Sequence, residues 1–313
     1  MKITVISPFT FGYIDALVEE LRAKSHVKVT FIRVDKFKFS YRSPVQRLFN
    51  FFLKTFSTRS LKKEYAAKMI LDQMQNNEKQ DFILVIRPDK LDENLLFQLK
   101  NHTNKLITYY FDSITNFPKK SNLIKYFDKV YSYEKGDVAK FNLEFITNFI
   151  PKDSVAISSN QEGLFNISSY DDRFKTLEKI AKQVKSYNYP CKFIVRSEKK
   201  VTSDYIKIIS EYITVEESKK YLEEAAILLD VQKDDQEGLS FRVFEALQFG
   251  KKLITTNKDI YSYDFYNPNN ILIINKENPQ IEEQFLNTPY EEIPESIKSK
   301  YRRKAWLQKV FDV

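Results

Sequence analysis

The chain contains few residues that can cross-link it or ligate a metal. Among its 313 residues there are 5 glycines, 1 cysteine and 2 histidines, and His26 and His102 both lie in polar segments. A single cysteine excludes an internal disulfide, so nothing in the sequence requires an oxidising compartment. No His/Cys cluster has the spacing of a metal site. The sequence therefore predicts a protein that holds neither a metal nor a cofactor.

Long apolar runs are also absent from the sequence. No stretch approaches the ~20 apolar residues that a membrane-spanning helix needs, and the apolar run at residues 2–6 is too short for a signal peptide. Hydrophobic residues nevertheless make up 42% of the chain and aromatic residues 15%, which is enough for a core. We therefore expect a cytoplasmic protein whose length suffices for two domains of ordinary size.

The net charge of the chain indicates which classes of partner it can bind. A net charge of +8 and an isoelectric point near 9.1 favour anionic partners such as nucleotide sugars, lipid phosphates or a membrane surface. Abundant Lys, Asn, Ile and Phe are equally typical of the coding bias of an AT-rich genome. Basic residues occur along the whole chain and form no stripe with stacking aromatics, so we expect no nucleic acid as partner. A non-catalytic nucleic-acid-binding or scaffold protein remains an alternative.

Apolar runs of strand length alternate with helical patterns through the sequence. This alternation predicts an α/β fold with parallel sheets and right-handed connections. The pattern pauses near Pro151, which predicts domains over residues 1–150 and 151–295. A terminal helix is predicted over residues 296–313, and it could pack back on the N-terminal domain. The predicted strands are residues 2–6, 27–34, 82–86, 106–111, 129–133, 155–158, 191–195, 208–213, 225–229, 253–254 and 271–274.

The most informative segment is residues 236–250, which contains two of the five glycines. Before it, an apolar run ends at Asp230; within it, a polar loop leads to a short helix from about Ser240 that stops at Gly250. In an open α/β sheet, such a loop and helix N-terminus lie at the carboxyl ends of the strands, where ligands bind. The free N–H groups and partial positive charge of a helix N-terminus suit a phosphate.

This segment resembles the donor-site motif of retaining glycosyltransferases with the glycosyltransferase B fold, in which seven residues separate two glutamates. Ser240 replaces the second glycine of that motif. The segment is also similar to a bacterial subgroup of surface-polysaccharide glycosyltransferases, in which the residue before the glycine need not be glutamate. The alternative is a plain βαβ unit with solvated glutamates. Five positions match the motif: Glu237, Gly238, Glu245, Ala246 and Gly250.

The resemblance implies two Rossmann-like parallel-sheet domains that face a cleft, with a nucleotide sugar held by the C-terminal domain and the acceptor by the N-terminal one. Glu245 would bind the ribose hydroxyls, and Glu237 would face the transferred sugar. Cations must face the leaving diphosphate, because negative charge grows there in the transition state. Arg173 is the first candidate, unless it merely pairs with neighbouring aspartates, and Arg196 and Lys252 follow. The remaining donor contacts would be Gly238, Leu239, Ser240, Arg242 and Asn257.

On the acceptor side, the resemblance points to the turn after the first strand, with Phe11, Gly12 and Tyr13. Asp112 follows the strand at residues 106–111 and could bind an acceptor hydroxyl, act as a base, or cap the next turn. The implied activity is metal-independent, retaining transfer of a hexose-type sugar to a saccharide or lipid-linked acceptor, in bacterial polysaccharide or lipopolysaccharide synthesis. A nucleotide-sugar epimerase of the same fold is the enzyme alternative, but it would need further carboxylates and a histidine in the cleft.

Residues 43–56 carry an apolar stripe at helical spacing. Basic residues surround the stripe within residues 42–63. A basic amphipathic helix of this kind can lie on an anionic membrane surface, which would place the protein peripherally on the inner membrane face. The stripe can also pack on the N-terminal sheet, and packing is the prediction we prefer. The stripe consists of Val45, Leu48, Phe49, Phe52, Leu53 and Phe56.

Overall fold

The computed structural model describes residues 1–56, 59–75, 78–115, 121–152, 161–234 and 236–313. The chain divides into two compact units: an N-terminal unit of Met1–Ile146 with Phe311–Val313, and a C-terminal unit of Thr147–Val310. Each unit contains a six-stranded parallel sheet with helices, so the predicted α/β fold is confirmed. The strand predicted at residues 155–158 lies outside the described residues.

The sheet of the N-terminal unit has the strand order β2-β1-β3-β4-β5-β6. Its central strands β1 and β3 are mostly buried because helices cover both faces of a parallel sheet, and Ile3, Ile6 and Val85 are fully buried. The chain moves from β1 outward to β2 and then returns to β3 on the other side of β1. The elements are β1 (Lys2–Ser7), α1 (Tyr13–Arg22), β2 (Lys28–Arg33), α2 (Pro44–Phe56), α3 (Leu61–Gln75), β3 (Gln80–Ile86), α4 (Glu93–Leu99), β4 (Thr103–Tyr110), β5 (Lys129–Ser132), α5 (Lys135–Phe141) and β6 (Glu144–Phe145).

The sheet of the C-terminal unit has the order β12-β11-β10-β7-β8-β9, so its topological switch point lies between β7 and β10. The predicted terminal helix over residues 296–313 is in fact two helices, with a 3-10 turn at Ser299–Tyr301 between them. The elements are β7 (Leu164–Ser169), α6 (Phe174–Ser186), β8 (Cys191–Arg196), β9 (Lys207–Ile209), α7 (Val215–Glu224), β10 (Ile227–Asp230), α8 (Phe241–Phe249), β11 (Lys252–Thr255), β12 (Ile271–Ile273), α9 (Glu283–Asn287), α10 (Glu295–Lys298) and α11 (Arg303–Phe311).

Helix α2 contradicts the prediction that the apolar stripe packs on the sheet. Five of its six members are between 48 and 81% exposed, and only Leu53 is half-buried. The one buried residue of the helix is Asn50. Its amide donates to the Tyr41 hydroxyl at 2.7 Å and accepts from the Leu61 N–H at 2.9 Å. The helix is therefore attached to the unit through a polar side chain, and its apolar side chains face solvent.

Two lysines at the start of β11 have buried ammonium groups. Lys251 donates to the Glu223 carbonyl at 2.7 Å and to the Ala225 carbonyl. Lys252 donates to the Phe285 carbonyl and to the carbonyl and hydroxyl of Thr288, at 3.0 and 2.6 Å. The prediction that Lys252 faces a donor diphosphate is wrong. Lys252 begins its strand, whereas ligands of parallel α/β sheets bind beyond the carboxyl ends of the strands.

Burial lowers the pKa of Lys251 and of Lys252 to about 8. In the unfolded chain the lysine pKa is about 10.4, so between these values the unfolded state binds more protons and stability rises with pH. We expect the free energy of unfolding to rise between pH 7.5 and 9.5 by about 1–2 kcal/mol for each lysine. Urea unfolding at both pH values measures the rise, and Lys251→Met/Lys252→Met should abolish most of it. A flat profile in the unsubstituted protein would contradict the buried placement.

Candidate functional site

In the C-terminal unit, polar side chains gather around the β10–α8 loop, which comprises residues 231–240. Asp230 ends β10 and is 8% exposed. Its carboxylate accepts hydrogen bonds from the Ser240 hydroxyl at 2.8 Å and from the Thr255 hydroxyl at 3.0 Å. Because Thr255 pairs with Asp230 across the sheet, one carboxylate ties the end of β10 to both the end of β11 and the start of α8.

The start and stop of α8 agree with the sequence prediction. Ser240 is the N-cap, and its Oγ accepts from the Arg242 N–H at 3.2 Å. Gly250 follows the helix with φ 57°, a left-handed conformation that favours glycine. The N–H groups of the first turn therefore point toward the β10–α8 loop, at the switch point of the sheet.

Two further residues fix the conformation of this loop. The Asn257 amide donates to the carbonyls of Glu237 at 2.9 Å and Gly238 at 3.4 Å, and it accepts from the Asp259 N–H at 2.8 Å. Leu239 is buried, and its carbonyl accepts from the Asn148 amide at 2.9 Å. Sequence analysis placed Asn257 and Leu239 among the donor contacts. In the structure, the Leu239 side chain lies in the core and the Asn257 side chain holds the loop.

Arg173 bridges the two sides of the switch point. Its Nε and Nη2 donate to Asp171 at 2.8 and 2.7 Å, and its Nη1 donates to the Val231 carbonyl at 3.1 Å. Burial would raise the pKa of Asp171, but the hydrogen bonds and charge of Arg173 and the charge of Lys233 lower it overall. Arg173 is thus paired with a neighbouring aspartate, which is the alternative that the sequence analysis named for it. It also contacts the β10–α8 loop.

Arg196 ends β8, on the side of β7 that faces away from β10. It donates to Glu198 at 2.7 Å and to the Tyr212 hydroxyl at 3.3 Å, and its guanidinium lies 4.0 Å from the centre of the Tyr212 ring. Its backbone pairs with Ser169 at the end of β7. Arg196 therefore lies at the same edge of the sheet as Arg173, but one strand farther from the loop.

The two glutamates of the motif differ in their surroundings. Glu237 is exposed on the β10–α8 loop. Glu245 is 8% exposed, and its carboxylate pairs with the Arg242 guanidinium at 2.9 Å, one helical turn earlier. The Arg242 guanidinium in turn lies 5.7 Å from the ring of Phe165 on β7. Glu245 therefore belongs to a buried ion pair beside the central strands.

Sequence analysis missed two lysines near this loop. Lys276 follows β12 and pairs with Asp234 of the loop, and Lys233 is close enough to Asp171 to lower its pKa. The available signal for Lys276 was its position just after a predicted strand. No group of three or more His, Cys, Asp or Glu side chains capable of holding a metal occurs in the part of the chain that the structure describes.

The N-terminal unit also presents polar and aromatic residues beyond its strand ends. Phe9 and Phe11 follow β1, are about half exposed, and have ring centres 5.2 Å apart. Gly12 precedes α1 with φ 88°, and a Cβ there would meet open space, so its φ and not crowding favours glycine. Tyr13 begins α1 and donates its N–H to the Thr10 carbonyl at 3.1 Å.

Arg87, which sequence analysis also missed, follows the neighbouring strand β3. It adopts a left-handed φ of 57° and donates to both oxygens of Asp89 at 2.8 Å. Its third contact is to Asp112 at 3.4 Å, after β4. Asp112 therefore lies beside a fixed guanidinium at the carboxyl edge of the sheet, where the strand pattern predicted it.

No protein-family model matches the chain, and no curated protein matches it in sequence. Solved structures similar to the chain do exist. The UDP-GlcNAc 2-epimerase from Methanocaldococcus jannaschii is 12% identical with a TM-score of 0.53, and the alignment covers all of both chains. The Neisseria meningitidis enzyme bound to UDP-GlcNAc is 11% identical, also with complete coverage and a TM-score of 0.53. An α,α-trehalose-phosphate synthase (UDP-forming) from Burkholderia xenovorans is 9% identical with a TM-score of 0.57, over 100% of this chain and 99% of that one.

At these identities the likeness concerns the fold alone. It extends over the whole chain, through both parallel sheets, and it includes both a synthase and epimerases. The chain has the glycosyltransferase B fold.

Proposed function

We propose that the protein is a glycosyltransferase that moves a sugar from a nucleotide-sugar donor to a saccharide or lipid-linked acceptor in the assembly of bacterial surface polysaccharides. The observation that carries this proposal is the β10–α8 loop, fixed by Asp230 and Asn257 at the switch point of the C-terminal sheet. The likeness to a UDP-forming synthase and to an epimerase bound to UDP-GlcNAc supports a nucleotide sugar as substrate.

In this proposal the β10–α8 loop and α8 bind the donor. The backbone of Gly238 and the first N–H groups of α8 receive the diphosphate, because a helix N-terminus favours negative charge. Glu245 accepts hydrogen bonds from the ribose hydroxyls, and Arg242 holds its carboxylate in place. Glu237, which is exposed, faces the hydroxyls of the transferred sugar.

The cations around the loop stabilise the leaving diphosphate. As the bond from the sugar to the diphosphate breaks, negative charge grows on the phosphate oxygens, and cations already fixed in position stabilise it without reorganisation. Asp171 and the Val231 carbonyl fix Arg173 in this way. Lys233 and Lys276 add positive charge to the same edge. These side chains supply the charge that a metal supplies in other transferases, so we propose a metal-independent transfer. Retention of configuration is proposed from the resemblance of residues 237–250 to the motif of retaining glycosyltransferases.

The acceptor is assigned to the N-terminal unit. Phe11 and Tyr13 flank Gly12 after β1, and the exposed ring of Phe11 offers an apolar surface to a sugar ring or a lipid chain. Asp112, which Arg87 orients, accepts a hydrogen bond from the acceptor hydroxyl.

Nucleotide-sugar epimerisation is the second candidate, because two of the similar structures are epimerases. Proton transfer at a sugar carbon would use a histidine or further carboxylates at the strand ends. The only histidines of the chain, His26 and His102, directly precede β2 and β4. They lie at the amino edge of the N-terminal sheet, opposite to the edge where the candidate residues gather, which favours transfer.

Product analysis distinguishes the two activities. The purified protein is screened by thermal shift against nucleotide sugars, because a ligand that binds the native state stabilises it. It is then incubated with the best donor and a lipid-linked saccharide in excess chelator. We expect nucleoside diphosphate release and a mass increase of one sugar on the acceptor. Conversion of the donor to its epimer without acceptor, or complete loss of activity in chelator, would overturn the proposal.

Glu245→Gln removes the charge of the proposed ribose ligand and retains its volume. We expect nucleotide affinity to fall by about 1.5–3 kcal/mol, the range for a hydrogen bond to a charged group. Isothermal calorimetry with the nucleoside diphosphate measures the loss. Glu223→Gln is the matched control, because Glu223 pairs with Lys219 on α7, next to the amino edge of the sheet. Equal affinities of the two variants would exclude Glu245 from the site.

Arg173→Gln removes the guanidinium that donates to the Val231 carbonyl of the β10–α8 loop. We expect kcat to fall roughly 10²-fold, as for other fixed donors that stabilise transition-state charge, with a smaller change in donor Kd. Steady-state kinetics and calorimetry on the same preparation measure both quantities. If Arg173→Gln retains kcat and Arg196→Gln shows the large loss of kcat instead, Arg196 and not Arg173 stabilises the leaving diphosphate.

A further inference from the structure

One segment of the chain has an excess of basic residues equal to the whole net charge. Residues 36–63, here called the basic segment, contain eight Lys or Arg residues and no Asp or Glu. Subtracting these eight from the chain's 50 basic residues leaves 42, which equals its 42 acidic residues. The entire net charge of +8 is therefore accounted for by the basic segment, although basic residues occur along the whole sequence.

The same segment exposes the most apolar helix surface of the N-terminal unit. Val45 and Phe56 are 74 and 81% exposed, and Leu48, Phe49 and Phe52 lie between them on one face of α2. The Phe52 and Phe56 rings stack with their centres 6.2 Å apart, and Phe51 adds a further exposed ring. Contiguous exposed apolar surface of this kind marks an interaction site.

The basic segment also carries exposed cations. The side chains of Arg42, Arg47, Lys54 and Lys62 are exposed, and within the described ranges none of them takes part in an ion pair. Arg59 pairs with Glu64, and the Lys63 ammonium donates to the Asp89 carbonyl at 2.8 Å. In its described residues, the basic segment thus presents apolar rings on one face of α2 and exposed cations, among them Arg47 and Lys54, on the opposite face of the same helix.

We propose that the basic segment is a docking surface for a bilayer of anionic lipids. A helix of 13 residues is about 20 Å long, too short to cross the ~30 Å hydrocarbon core, and none of the described helices is long and apolar enough to do so. An amphipathic helix with aromatic residues on one side and cations around it lies in the interface, with its rings among the acyl chains and its cations at the headgroups.

Other occupants fit this surface less well. A second copy of the chain would bring two segments of charge +8 together with no acidic residue between them, and like charges repel at such distances. Single-stranded nucleic acid binds to rings that are free to stack with bases. Here Val45, Leu48 and Leu53 extend the apolar stripe with aliphatic side chains, and Phe52 and Phe56 stack on each other. The docking surface does not depend on the sugar-transfer chemistry proposed above.

Co-sedimentation with vesicles tests the proposal. We expect the full chain to bind vesicles of phosphatidylglycerol and phosphatidylcholine at least tenfold more tightly than pure phosphatidylcholine. Binding should weaken as salt rises, because salt screens charges beyond about 8–10 Å at physiological ionic strength. Phe49→Ser/Phe52→Ser should reduce binding at least tenfold with an unchanged Tm. Phe97→Ser is the matched control, because Phe97 is also exposed, at 65%, but lies on α4.

A second pair of variants tests the charge. Arg47→Gln/Lys54→Gln should reduce binding to anionic vesicles, whereas Lys199→Gln/Lys200→Gln, which removes two exposed lysines of the C-terminal unit, should not. The proposal is overturned if the protein binds both vesicle types equally or neither. A large fall of Tm in Phe49→Ser/Phe52→Ser would also overturn it, since it would show that these rings are core residues. So would binding to single-stranded RNA in place of vesicles, or a dimer in sedimentation velocity that Phe49→Ser/Phe52→Ser dissociates.

Discussion

Asp230 ends the central strand β10 with a carboxylate that accepts one hydrogen bond from Ser240 and another from Thr255. A buried carboxylate is stable only when its oxygens are paired, so the two partners cannot be exchanged for water without loss of stability. The pairing register of β10 and β11 places Thr255, and the bond to Ser240 then places the N-cap of α8. Asp230 therefore helps to set where α8, with Arg242 and Glu245, begins relative to the sheet.

Acidic partners fix the cations at both carboxyl edges in a similar way. Arg173 pairs with Asp171, Arg196 with Glu198, and Arg87 with Asp89. Such pairs restrict long side chains that would otherwise sample many rotamers. The entropy of these side chains is therefore lost partly when the protein folds, and less of it is lost when a ligand binds. In the proposed donor site, a phosphate would therefore share the Arg173 guanidinium with the carboxylate of Asp171. The same carboxylates reduce the net positive charge of each edge.

Sequence analysis succeeded where local chemistry determines structure. Ser240 and Gly250 bound α8 as predicted, because an N-cap hydroxyl and a left-handed glycine act within one helical turn. Strand β7 was missed because Asn166 and Ser168 interrupt its apolar pattern. The Asn166 amide donates to the Leu229 carbonyl, 63 residues away. Lys252 was misassigned for a similar reason, since its partners Phe285 and Thr288 are 33 and 36 residues distant.

The exposure of α2 could not be predicted because periodicity defines an apolar face and says nothing about what covers it. The candidate site residues gathered at carboxyl edges because the topology of a parallel sheet, which alternation does predict, brings all strand ends of one kind together. Their ligands and roles stay predictions, because a fold shared at about 10% identity carries many chemistries.

The attachment of α2 through Asn50 has a consequence for the order of events at a surface. Isolated helices shorter than about 12–15 residues are marginal in water, and most helices in proteins are stabilised by packing of their apolar face. Helix α2 has 13 residues and one buried side chain, so packing of side chains contributes little to its helicity in solution. Adsorption of the apolar face would supply the missing stabilisation, and folding of the segment would then be coupled to adsorption. Such coupling weakens affinity for a given contact area. Unfolding of this short helix would then favour dissociation of the segment from the surface.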